Sequence, residues 1–538
     1  MNYIVNKNKW LDSKFVLDKE KEEIKSLDDS STKEIFSNLN LTSSISKKYY
    51  LGSNNFNRFT LNKISLAIFK YLKELEINEV LIGFSYNKNS ILLKDELIKY
   101  LKRKLQVYSF SSSYPSSVLS YSLRHEMIPF GIYIDYKDDL INISFYDKYG
   151  KKYLDEEMID LTLTYSSLQS EIDLKEEISE VNKVIHLDNN QDYIDEYIYK
   201  ESSISLFNNF LKGDKKLNII LVSDNLSQLE LIKKLLSLTN YNCLTYLNSQ
   251  FNLNSTIVTL KQRRVNFLII YINNSSCIEK ISYLDHSGLI TSKTSVEFSS
   301  LLLDFYLTTL IRRNLLPSNP IVILSNKISK QFINILDNYG IEYFITLDEF
   351  KYITNLIQKK KEEGKNTIFG LTSDFSYLFA NFIMDEDVFQ TLIYILDLVE
   401  CKIREGKTLD VDFLNLNRKY GKYKYYVHEI KSSLDSTLLM DLLRSVDTSF
   451  KSIKLNGIID YSTLEVKNLT THYVSLLDDL DIKKNNSLNY LLDDGYILFY
   501  INKDNNVEVI INYKENKYND SNKINNIILE IESILRLS

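Results

Sequence analysis

Apolar residues recur along this chain in two alternating rhythms, and their order predicts an α/β protein. Over 61–75 the apolar positions Ile64, Ala67, Ile68, Tyr71 and Leu72 fall at helical spacing, and the run 80–84 behind them reads as a buried strand. A helix over 91–105 and a strand at Val107 repeat the unit. An amphipathic helix over 118–127 leads into a strand over 130–134, a turn of Asp135, Lys137, Asp138 and Asp139, and a second strand over 140–146. The same punctuation returns as strand 217–222 with helix 226–238, then strand 266–272 with a loop at 273–277. It returns again as helix 296–310 before strand 321–324, and as strand 509–511 before a closing helix over 524–537. Strands opening at Val80, Leu217, Asn266 and Ile321 among helical stretches give the α/β class. Residues 151–215 are acidic and polar, and read as helices joining two domains.

Composition bounds this picture. A chain of 538 residues is too long for one core and predicts roughly three to four domains. With only 13 Gly, the chain is poor in the residue that phosphate-cradling loops usually need. A formal net charge of −6 leaves no global electrostatic footprint for nucleic acid. The short basic runs at Lys99, Lys102, Arg103 and Lys104, and at Lys359, Lys360 and Lys361, sit at helical spacing and read as solvated helix faces. Cys243, Cys277 and Cys401 lie far apart, which argues against disulfide frameworks and zinc ligand sets. The five histidines (His125, His186, His286, His428 and His472) are equally isolated and read as structural or surface residues. No apolar run approaches membrane-spanning length and no signal-peptide pattern opens the chain, so a cytoplasmic protein is expected.

The stretch 113–153 carries a recognisable frame. Pro115, Leu119-Ser120-Tyr121-Ser122-Leu123-Arg124, Gly131-Ile132, Ile134, Tyr146 and Gly150 are spaced as in the α-D-phosphohexomutases, the phosphoglucomutase and phosphomannomutase family, which this stretch resembles. Those proteins carry P-T-P-x-L-S-x-A-V-R, then G-I-x-I-T-A-S-H-N-P, then N-G-x-K-V-Y-x-x-x-G. The serine of the middle motif is their phosphorylated catalytic group, and its position here is Lys137. Asp135, Asp138 and Asp139 are the neighbouring carboxylates that could in principle form an acyl phosphate instead.

Similar matches follow in order along the chain. Trp10-Leu11 resembles the family's opening W-L segment, and Gly52 to Thr60 resembles G-T-N-R-M-N-x-Y-T, which puts Ser46 on the arginine of the preceding phosphate loop. Leu81-Ile82-Gly83 resembles V-I-G, with Ser85 and Asn87 on the acidic and arginine positions behind it. The metal loop A-D-L-V-I-A-T-D-P-D-A-D-R falls on Val265 through Cys277, so its three aspartates become Ile272, Asn274 and Ser276. Phe369-Gly370 through Tyr377-Leu378 resembles F-G-F-E-E-S-Y-G-Y-L, with Thr372, Ser373 and Asp374 on the sugar-gripping glutamates and serine. Phe382, Asp385 and Asp387 continue on T-F-V-R-D-K-D. The terminal phosphate clamp R-P-S-G-T-E-P-K is replaced by a stretch containing Ile501, Lys503 and Asn505, with Asp504 and Glu508 to oppose an anion.

The resemblance implies three α/β sandwich domains and a smaller C-terminal α+β domain around a central cleft. Their expected spans are 1–200, 201–305, 306–435 and 436–538. Scaffold positions keep the family pattern, while the catalytic, metal, sugar and phosphate positions leave it. The expected function is therefore a catalytically inactive phosphohexomutase-like pseudoenzyme, a structural or interaction subunit of a cytoplasmic assembly. It would hold no cofactor, bind protein partners in a larger complex, and neither bind nucleic acid nor insert in a membrane. Two alternatives are a metabolite-binding regulatory module and a residual phosphoglucomutase or phosphomannomutase, the last requiring magnesium. Replacement of both phosphate-gripping arginines, by Ser46 and Ile501, favours the scaffold over the sensor.

Overall fold

A computed structural model describes residues 2–137, 139–174, 182–207, 217–239, 241–253, 256, 258, 266–273, 277–373, 377–379, 382–430, 434–445, 450, 454–477, 484–502, 505–515 and 523–536. The chain divides into two units, Met1–Ile278 with Ala380–Ile393, and Glu279–Phe379 with Tyr394–Ser538.

In the first unit, strands β1 (Ser44–Lys47), β2 (Glu79–Phe84), β3 (Gln106–Ser109), β4 (Phe130–Lys137), β5 (Leu140–Asp147) and β6 (Ile185–His186) form a mixed sheet ordered β1-β5-β4-β2-β3-β6. β2 runs parallel to β3 and β4, whereas β5 is antiparallel to β1 and β4. Helix Arg58–Glu74 starts where the Asn57 side chain accepts the N–H groups of Phe59 and Thr60, which would otherwise lack partners. It buries Leu61, Ile64, Ile68 and Leu72 at helical spacing. Helix Ser116–His125 lies close against β2 and β4. A Cβ on Gly83 would stand 2.9 Å from Leu119 Cδ1, and one on Gly131 would stand 2.6 Å from Leu123 Cδ1. The glycines of the recognised frame thus serve helix–sheet packing.

The hairpin differs from the sequence expectation. β4 continues through Asp135 to Lys137, which stands opposite Leu140 at the start of β5. Only residues 138–139 connect the strands, and Asp139 takes a φ of 61°. The polar residues at 135 and 137 read as turn formers, but the ladder continues through them (Asp135 pairs with Asn142), so tertiary pairing overrides local propensity.

The same unit contains β7 (Leu217–Val222), β8 (Asn242–Tyr246) and β9 (Asn266–Ile272), with β7 parallel to both neighbours. Residues 151–215 do more than join domains. Helix Gln191–Ser202 buries Tyr197, Ile198 and Glu201, and the Tyr197 ring meets Phe389 edge-on at 5.8 Å. At the N-terminus, Trp10 is fully buried between Phe36 and Phe59, with ring centroids 5.9 and 5.2 Å away.

The second unit holds the hairpin of β10 (Ile278–Leu284) and β11 (Ile290–Thr294), and a sheet of β12 (Pro320–Ser325), β13 (Glu342–Thr346), β14 (Asn366–Leu371) and β15 (Tyr377–Leu378). The order is β13-β12-β14-β15; β12 is parallel to β13 and β14, and β15 is antiparallel. Helix Lys330–Tyr339 ends at Gly340, whose φ of 65° supplies the left-handed cap. The C-terminal sheet consists of β16 (Tyr423–Ile430), β17 (Gly457–Asp460), β18 (Glu465–Asn468), β19 (Val474–Leu476), β20 (Ser487–Leu492), β21 (Gly495–Ile501) and β22 (Val507–Lys514). Its order is β16-β22-β21-β20-β17-β18-β19. Helices Ser436–Ser445 and Lys523–Arg536 close a core of Leu439, Met440, Ile497, Phe499, Ile511 and Ile527 against it.

Helix-flanked parallel strands followed by a C-terminal α+β layer match the expected fold class. Among the described residues, no helix is long and apolar enough to cross a membrane.

Candidate functional site

The chemistry-bearing positions fall into two groups, one in each unit. In the first, β1 and β4 flank β5, and Asn142 stands opposite both Ser46 and Asp135. The three residues form one row across the sheet and share a face. Ser46 Oγ donates to Asn142 Oδ1. Asp135 Oδ1 accepts the Tyr136 N–H at 2.8 Å, while Asp139 Oδ1 accepts the Tyr136 hydroxyl at 3.1 Å. Lys137 is exposed at the end of the ladder. Burial raises the Asp135 pKa above its ordinary value, against the opposing pull of Ser85, the Tyr136 N–H, Lys152 and Lys137. The structure therefore sets Ser46 in one row with Asp135, two residues before Lys137 on β4.

Lys152, whose charge acts on Asp135, belongs to a buried polar network. Asp385 is fully buried, accepts the Tyr146 hydroxyl at 2.7 Å and pairs with Lys152 Nζ at 3.2 Å. Burial opposes the Lys152 charge, but Asp385, Tyr146 and Glu386 outweigh it and raise the pKa well above its ordinary value. Ser120, from the recognised frame, accepts the Met384 N–H at 3.0 Å and donates to Gly150 O at 2.7 Å. Gly150 has a φ of 74°, and a Cβ there would lie 2.4 Å from Ser120 O. That close approach explains the glycine at this position.

The metal-loop positions follow β9. Ile272 is buried at the strand end, Asn273 Oδ1 accepts the Cys277 N–H at 2.9 Å, and Cys277 is buried. Magnesium takes hard oxygen ligands, usually with carboxylates among them. The loop residues that are described, Ile272, Asn273 and Cys277, include no carboxylate.

In the second unit, Asp348 gathers the ends of three strands. It accepts the Ser373 N–H at 2.8 Å and the Ser373 and Ser325 hydroxyls, and pairs with Lys327 Nζ at 3.3 Å. Thr372 is buried beside Ser373. Lys327 also lies 3.4 Å from the centre of the Tyr500 ring. Glu508 accepts the Tyr500 hydroxyl and Asn502 Nδ2, the latter at 2.7 Å. The sugar-loop position Ser373 and the phosphate-clamp strand ending in Ile501 are thus linked through Lys327 and Asp348. Ile501 itself is partly buried and packs on the C-terminal core. Asn505 has a φ of 63° and accepts the Ser436 hydroxyl at 3.0 Å.

Sequence reasoning missed Lys327 and Asp348 as site residues. Their signal was positional, since each lies just beyond a parallel strand of the sheet, where ligand loops collect. Asp138, Asn274, Ser276, Asp374 and Lys503 lie outside the described residues.

Fold and loop placement define the class as an α/β protein on the multi-domain phosphohexomutase plan. No family model matches the chain. A phosphoglucomutase of Staphylococcus haemolyticus (strain JCSC1435) is 22% identical over 457 residues, covering 79% of this chain and 81% of the relative. A phosphoglucomutase of Staphylococcus aureus (strain MSSA476) is 22% identical over 500 residues, covering 85% and 86%. In structure, a phosphoglucomutase/phosphomannomutase family protein from Burkholderia thailandensis shares the fold, with a TM-score of 0.62 and 12% identity over 92% of this chain and 96% of that one. These relatives and the shared fold support membership of the α-D-phosphohexomutase family, and the chain is a phosphohexomutase-like protein.

Proposed function

We propose that this chain is a pseudoenzyme on the phosphohexomutase scaffold, serving as a structural or interaction subunit of a cytoplasmic assembly. The observation that supports the reading is the β4–β5 hairpin, at whose end stands Lys137, the residue that the sequence resemblance sets on the family's phosphorylated serine. Lysine has no hydroxyl to accept and return a phosphoryl group. Of the adjacent carboxylates, the two described ones are engaged within the hairpin, Asp135 with the Tyr136 N–H and Asp139 with the Tyr136 hydroxyl. Phosphoryl transfer relies on positioned cations around the moving phosphate. The described metal-loop residues offer no carboxylate, and Ile501 is apolar where the clamp would be cationic.

A coupled assay converting glucose 1-phosphate to glucose 6-phosphate tests the enzymatic half of this reading. With magnesium and a bisphosphate activator present, the protein is expected to show no turnover above a blank. Lys137→Ser is expected to remain at that baseline, because one hydroxyl does not replace the missing cations. Turnover by the unmodified chain that Asp135→Asn abolishes would overturn the pseudoenzyme reading and establish a carboxylate nucleophile.

A further inference from the structure

The C-terminal sheet ends on a strand that the candidate site does not use. Among the described residues, β19 has β18 as its one strand neighbour. The stretch 473–477 reads Tyr-Val-Ser-Leu-Leu, without a charge or a proline. Sheets ordinarily guard an edge with one or the other, because unpaired N–H and C=O groups recruit further strands. Here Tyr473, Val474 and Leu476 are instead 68, 49 and 59% exposed.

The register shows which backbone groups face outward. The Asn468 N–H donates to Tyr473 O at 2.9 Å, and the Leu477 N–H donates to Leu464 O at 2.8 Å. Bonded and non-bonded pairs alternate along an antiparallel ladder, so the bonded pair between these two is Val466 with Ser475. The N–H and C=O groups of Val474 and Leu476 therefore point away from β18. The side chains of Val474 and Leu476 share one face, where they stand opposite Lys467 and Glu465 respectively.

We propose that β19 is a self-pairing edge, which joins two copies of this chain as antiparallel neighbours about a twofold axis at Ser475.

In that arrangement Val474 stands opposite Leu476 of the second copy and exchanges both backbone bonds with it. Leu476 does the same with Val474 of the second copy, so outward groups meet outward groups. The valine and leucine of each copy then close into one apolar cluster that neither copy forms alone. Each row across the joined sheet reads Lys467, Val474, then Leu476 and Glu465 of the second copy. One end is cationic and the other anionic, and no like charges meet. Three strand spacings, about 14 Å, separate the two ends, so salt screens their attraction. The backbone and the apolar cluster carry the pairing. An edge this short falls below the size of stable interfaces, and a reversible dimer is expected. This contact stands apart from the assembly reading, since neither requires the other.

Sedimentation velocity of the full-length chain from about 1 to 200 µM tests the proposal. The parent chain is expected to shift from monomer towards dimer as concentration rises. Leu476→Pro removes an outward N–H and leaves the ladder to β18 intact, so it should stay monomeric with an unchanged circular dichroism spectrum. Ser475→Lys and Ser475→Asp each set like charges face to face at the axis and should also be monomeric. Mixing the two should recover a dimer, because opposite charges then meet there. A parent chain that stays monomeric throughout would overturn the proposal, and would leave β19 to the strand of a different protein. A dimer that Leu476→Pro leaves unchanged, or folded Ser475 variants whose mixture stays monomeric, would overturn it as well.

Discussion

Lys152→Met is expected to destabilise the first unit by about 3 kcal/mol, at the low end of the range for breaking a buried ion pair. Asp385 is buried to 1% of its side-chain surface, and Lys152 Nζ lies 3.2 Å from its Oδ1. Removing the ammonium leaves the carboxylate with the Tyr146 hydroxyl at 2.7 Å as its main donor. One neutral hydroxyl cannot replace the lost hydration of a charged group. The Lys152 side chain keeps a quarter of its surface exposed, so solvent screens part of the attraction and sets the estimate at the lower bound. Urea unfolding measures the cost. The double variant Lys152→Met with Asp385→Asn should recover much of it, because the stranded charge is then gone. A loss below about 1 kcal/mol in the single variant would mean that Asp385 is protonated or solvated.

Trp10→Ala is expected to cost about 3–5 kcal/mol, as for other large aromatic truncations in cores. Trp10 packs edge-on against Phe36 and Phe59, within a cluster that includes Val16, Ile24 and Ile172. Its indole N–H donates to Glu171 Oε1 at 3.1 Å, and Ser53 Oγ donates to the same oxygen at 2.5 Å. Truncation opens a cavity and weakens the support of a buried carboxylate in one step. Trp10→Phe, which keeps most of the volume but loses the donor, should cost less, about 1–3 kcal/mol. Circular dichroism during chemical unfolding reads both variants, because Trp10 is the only tryptophan and its fluorescence disappears with it. Near-parent stability in Trp10→Ala would show that the N-terminal helices contribute little to this unit.

Much of the fold was legible because buried parallel strands are apolar on both faces and read as uninterrupted runs. The expected strands 217–222 and 266–272 coincide with β7 and β9. Gly83 and Gly131 were also readable, since glycine in an apolar strand signals close approach by a neighbour. The β4–β5 hairpin was less readable. Asp135 and Lys137 look like turn residues, and only the ladder to β5 shows that they belong to a strand.

The polar networks were the least legible part. Lys152 and Asp385 are remote in sequence, and a charged residue in a polar stretch reads as solvent-facing. Their burial is a property of the tertiary fold. The Lys327–Asp348–Ser373 link has the same character, joining the loops of successive parallel strands. Residue identity at positions such as Lys137 and Ile501 was plain from the start, but the commitments of Asp135, Asp139 and Glu508 to local partners required coordinates.

Particle mass after gentle isolation from the native cells, with identification of what co-purifies, tests the central claim most directly. The scaffold account predicts a large particle containing this chain and other proteins at fixed stoichiometry. A lone monomer or homodimer would contradict it.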